Sequence, residues 1–226
     1  MKNLLVIFAG AVALAIALRP AASGATAESA APGSLCIHVY NHAGAPQESL
    51  RWATAQAARV FTRVGIRTSW VQPAADLPEA HLFDLSGSNK LLATGQQSCL
   101  VVRLVKDLPA NQYPNAVGFA IPLARIGVNV EIFYNRVKHQ AMADGVDADA
   151  LLAYTLTHEI GHVLLRSLEH ATGGIMRARW DHASIRPAGL ERMAFLPEQA
   201  RQMRETVERF NRQEKALAGI DLRGHN

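Results

Sequence analysis

Thr155-Leu156-Thr157-His158-Glu159-Ile160-Gly161-His162-Val163-Leu164-Leu165 decides how the rest of the chain is read. Residues i and i+4 share a helix face, so in a helix His158 and His162 would project side by side, with Glu159 next to them. Two imidazoles on adjacent turns can hold one metal ion, and a neighbouring carboxylate can take a proton from a water that the metal activates. The surrounding residues favour a helix. Apolar residues at 148, 151, 152, 156, 160, 163 and 164 suit one buried helix face, and Asp147 or Asp149 would cap its start. An amphipathic helix is therefore expected, carrying the pair in its second half. The plain alternative is a histidine-rich helix with solvated imidazoles.

A catalytic zinc usually has three protein ligands and one open position. His170 lies twelve residues after His158; an unbroken helix, rising 1.5 Å per residue, would carry it about 18 Å away, so the helix has to end soon after His162. No glycine stands between Val163 and Thr172, which leaves the turn to residues such as Arg166 or Ser167. Gly173-Gly174-Ile175-Met176 follows, and paired glycines supply the backbone angles of a tight turn.

These residues resemble the metzincin clan of zinc peptidases. Its motif, H-E-x-x-H-x-x-G-x-x-H, ends in a third histidine and is followed by a turn that places a methionine beneath the ligands. Leu165 and Leu168 occupy the glycine and third-histidine positions here, so His170 would serve from two residues farther on. The resemblance implies one zinc ion held by His158, His162 and His170, Glu159 as general base, and Met176 as the Met-turn residue. Glu191, in the manner of the gluzincins, and Asp181 and Glu169 stay open as third ligands, and an ordinary core methionine is the plain alternative for Met176. Ala178 stands where some metzincins carry a tyrosine that assists the transition state, so no such helper is expected.

The N-terminus bears on compartment. Lys2 precedes an apolar run from Leu4 to Leu18, and Ala25-Thr26-Ala27 fits a cleavage site, so residues 1–27 read as a secretory signal peptide. The run is shorter than the roughly 20 residues of a membrane span, and an uncleaved anchor is the alternative. Residues 28–226 are long enough for one domain. The formal charge of +4 includes Lys2 and Arg19, so the remainder carries +2 with its basic residues scattered, which argues against nucleic acid as a partner. Cys36 and Cys99 fall in strand-like segments, and in an exported protein they would form a disulfide if those strands are neighbours; two separate buried thiols are the alternative.

Elsewhere strand and helix patterns alternate. A strand is expected at Leu35–Tyr40, a helix from Glu48 to Val64 ended by Gly65, and strands at Ile66–Val71, Cys99–Val105, Asn115–Ile121 and Gly127–Tyr134. The polar stretch from Gln72 to Ser98 reads as loop and is the expected seat of specificity, and a charged amphipathic helix closes the chain from Pro197 to Leu217. Pro122 makes the strand at 115–121 an edge or an end. The expected fold is α+β: a twisted mixed sheet with two long helices in an upper subdomain (about 34–165) and a small, mostly helical lower subdomain (about 166–226). The resemblance implies that Val117, Gly118, Phe119 and Ala120 line the zinc as an edge strand binding extended substrate, and a plain structural strand is the alternative. The function expected is an exported zinc endopeptidase acting on peptides or proteins. The alternatives are a gluzincin-like zinc hydrolase using Glu191, and a non-catalytic binding protein on the same fold.

Overall fold

The chain divides into residues 1–30 and residues 31–226. The computed structural model describes residues 33–72, 99–107, 116–122, 129–180 and 193–221, with no side-chain detail for 213–221. The expected signal peptide, most of the expected specificity loop, and Asp181 and Glu191 lie outside these residues.

Alternation along Gly33–Asn41 (β1) buries Leu35, Ile37 and Val39 on one face. The chain then forms helix α1 (Gln47–Arg63), which buries Leu50, Ala53, Ala57, Val60 and Phe61, and returns as β2 (Ile66–Val71) parallel to β1. Strands β3 (Leu100–Val105), β4 (Gly118–Ala120) and β5 (Val130–Phe133) complete a five-stranded sheet of order β2-β1-β3-β5-β4. β4 alone runs antiparallel to its neighbour and lies at an edge, as Pro122 leads one to expect. Register aligns Val39 with Val102, Val102 with Val130, and Val130 with Ala120, so one apolar row crosses four strands. On the opposite face Arg103 and Glu131 are register partners and form an ion pair at 2.9 Å.

Cys36 in β1 and Cys99, the residue just before neighbouring β3, form the expected disulfide. By loop-closure entropy a bridge spanning 63 residues removes about 4 kcal/mol of freedom from the unfolded chain.

Three expectations need correction. Of the strand expected at Asn115–Ile121, only Gly118–Ala120 is strand among the described residues, so Val117 lies just before it. The strand expected to reach Tyr134 stops at Phe133, and Tyr134 instead opens helix α2 (Tyr134–Asp144), which buries Tyr134, Val137 and Ala141 at helical spacing. Helix α3 (Ala148–Leu165) is not amphipathic: Ala150 to Leu165 are buried on every side, because α3 packs against α1, α2, β4, β5 and helix α4 (Pro197–Asp221). A helix apolar all round belongs in the middle of a core. Helix α4 buries Ala200, Met203 and Val207 and satisfies the ends of its neighbours: Gln202 donates to the Leu165 carbonyl at 2.7 Å and Arg204 to the Val64 carbonyl at 3.1 Å. No helix among the described residues is long and apolar enough to cross a membrane.

Candidate metal centre

Helix α3 is fixed at both ends. Asp147 accepts a hydrogen bond from the Ala150 N–H at 2.8 Å, the N-cap expected of an aspartate at that position. At the other end Arg166 takes the left-handed conformation, with φ 54° and ψ 34°. The Arg166 N–H returns to the Val163 carbonyl and the Ser167 N–H to the His162 carbonyl, both at 3.2 Å, which is the Schellman pattern. Glycine usually occupies that position, and here an arginine makes the turn.

The turn brings the Ser167 carbonyl to Nδ1 of His162 at 2.8 Å, while the Ile175 carbonyl meets Nδ1 of His158 at 2.9 Å. A carbonyl can only accept, so both Nδ1 atoms carry the proton and both Nε2 atoms present lone pairs. These Nε2 atoms converge at 3.0 Å. His170 joins them: its ring centroid lies 5.3 Å from that of His158 and 5.0 Å from that of His162, and ligand atoms of all three histidines fall within 4.8 Å of one another. Zinc with bonds of about 2.0–2.1 Å in tetrahedral geometry sets its ligand nitrogens about 3.3 Å apart. The pair therefore needs to open by only a few tenths of an ångström, and the donor set fits the ion. Glu169 is exposed and falls outside this group. Cys36, His38 and Cys99 also cluster, but the disulfide ties up both sulfurs.

Burial tunes these groups. It pushes His158 down to about 4, with the neighbouring histidines adding to the effect, and it also lowers His162, so both imidazoles are held neutral as metal ligands must be. Burial likewise pushes the Glu159 carboxyl up to about 8. That carboxyl lies against β4, where a Cβ on Gly118 would come within 3.2 Å of Glu159 Cγ. Val117 and Ile121 extend the β4 ladder, the former accepting from the Phe133 N–H at 2.9 Å and the latter donating to the Asn129 carbonyl at 2.8 Å.

Met176 is fully buried beneath α3. A Cβ on Gly161 would stand 2.6 Å from Met176 Sδ and 2.9 Å from Phe195, so the glycine inside the histidine motif is what lets the methionine turn approach. The turn itself uses Gly174 at φ 70°, and the Ala171 N–H donates to the Met176 carbonyl at 2.8 Å. Sequence reasoning missed Trp180, whose ring lies 5.0 Å from the His158 ring and nearly perpendicular to it. Its place four residues after Met176 was the available signal.

No family model matches the sequence, and no curated protein matches it. Among solved structures the chain is similar to archaemetzincin from Methanopyrus kandleri, with 15% identity and a TM-score of 0.46 over 81% of this chain and 99% of that one. It is also similar to metalloproteinase-II from Bacteroides fragilis, with 12% identity and a TM-score of 0.46 over 77% of this chain and 53% of that one.

Proposed function

We propose that the chain is an exported zinc-dependent endopeptidase of divergent metzincin type. The observation that carries this reading is the convergence of two neutral, tethered imidazoles at 3.0 Å beside a buried carboxylate, with a third histidine in reach. His158, His162 and His170 would hold one zinc ion, which when bound supplies a Lewis acid that acidifies a water and polarises a peptide carbonyl.

Glu159 acts as general base. Its carboxyl accepts the proton of the attacking water and returns it to the leaving amine. Val117 to Ala120 offer main-chain donors and acceptors along the sheet edge to an extended peptide, so sequence-tolerant backbone pairing would orient the scissile bond. Met176 supports the ligand helix from below through its contact at Gly161. The Cys36–Cys99 disulfide favours an oxidising compartment, in keeping with removal of residues 1–27 on export.

Digestion of a peptide library by zinc-loaded protein and by Glu159→Gln tests the assignment. The variant is expected to keep its zinc and lose about 10²–10⁴-fold or more in rate. Undiminished cleavage by the variant would rule out Glu159 as the base.

A further inference from the structure

The Ile175 carbonyl receives two hydrogen bonds. His158 Nδ1–H donates at 2.9 Å and Trp180 Nε1–H at 3.0 Å. A carbonyl oxygen has two lone pairs and can satisfy both donors. The indole also stands nearly perpendicular to the His158 ring, with centroids 5.0 Å apart at 84°, and packs on Tyr154 at 5.4 Å, one turn earlier on α3. His162 is held differently, by the Ser167 carbonyl and by the rings of His158 and His170 alone among the described aromatic contacts. His158 is thus held through its N–H by a carbonyl that Trp180 also binds, and its ring packs against the indole of the same tryptophan.

We propose that Trp180 is a positioning residue of the metal centre. Its indole N–H fixes the Ile175 carbonyl that orients His158, and its ring limits rotation of that imidazole, so Nε2 is aimed before metal arrives. Outer partners of metal-binding histidines commonly influence affinity by about 10–100-fold, and Trp180 acts on such a partner. The proposal rests on the reading of His158, His162 and His170 as ligands.

Trp180→Phe keeps an aromatic ring and deletes the N–H; Trp180→Ala deletes both. Cobalt(II) titration of metal-free protein, read by visible absorption, is expected to show affinity about tenfold weaker for the first variant and weaker again for the second, with an altered ligand-field spectrum. Wild-type affinity and spectrum in both variants would overturn the proposal. His158→Ala is the control for the underlying site: if it binds cobalt like wild type, the ligand assignment itself fails, whatever the tryptophan variants do. Should the variants not fold, indole N–H exchange in ¹⁵N-labelled wild type decides. Protection of the Trp180 signal in both metal-free and cobalt-loaded protein supports prior positioning, and free exchange in the metal-free protein overturns it.

Discussion

His158 and His162 stand in a helix buried on every side, whereas His170 stands five residues beyond that helix, on an exposed segment. The first two have each Nδ1 tied to a main-chain carbonyl, and the ring of His170 has no hydrogen-bond partner among the described residues. The core therefore aims the pair before any ion binds, and the local turn at Arg166 only brings the third imidazole near. Preorganisation is concentrated where packing is densest, and in the proposed site the third ligand would be left to be ordered by the metal.

The contrast breaks first at the ligands. His158→Ala or His162→Ala should abolish zinc binding, measured by metal analysis after dialysis. His170→Ala should weaken binding while leaving the metal-free protein's melting temperature unchanged, because an exposed side chain contributes little to packing. Equal losses of metal from all three variants would remove the distinction.

Packing beneath the pair comes next. Gly161→Ala forces a methyl group against Met176 and Phe195, and overpacking of this kind costs about 1–3 kcal/mol. A drop of several degrees in melting temperature is expected, by about 2–4 °C per kcal/mol for a chain of this size. An unchanged melting temperature would show that the methionine turn yields freely.

Acidity tests the buried side of this contrast, where burial shifts Glu159 and His158 in opposite directions. In chelated protein Glu159, raised by burial from 4.5 to about 8, binds its proton more tightly when folded; its contribution is full below about pH 4.5 and is lost as pH rises toward 8. His158, lowered by burial from 6.5 to about 4, binds its proton more tightly when unfolded; its contribution is full above about pH 6.5 and is lost as pH falls toward 4. Thermal unfolding with a chelator present should therefore show stability declining both toward alkaline and toward acid pH from a maximum between these limits. Glu159→Gln should remove the alkaline decline.

The smallest effect belongs to the turn. Arg166→Gly relieves a left-handed arginine but adds freedom to the unfolded chain, so a gain of no more than about 1 kcal/mol is expected from urea unfolding.

What the sequence made legible was local. The spacing of His158, Glu159 and His162, the cap at Asp147 and the alternation of β1 depend on residues within a turn or two, and Pro122 marked β4 as an edge through the N–H it lacks. The disulfide was readable because two strand-like segments each carried one cysteine. Helix α2 was hidden because Val130 to Tyr134 continues a β-favouring run past the point where Tyr134, Val137 and Ala141 take up helical spacing. Full burial of α3 depends on five packing partners that no window around it reveals. Trp180 was missed for a similar reason: its contacts reach back to Tyr154, His158 and Ile175, and tertiary packing alone brings them together.

X-ray absorption at the zinc edge of loaded protein tests the central claim most directly. The account predicts one zinc per chain with three imidazole nitrogens at about 2.0–2.1 Å, falling to two imidazoles in His170→Ala. A wild-type spectrum with only two imidazoles and an added carboxylate, unchanged in His170→Ala, would contradict it.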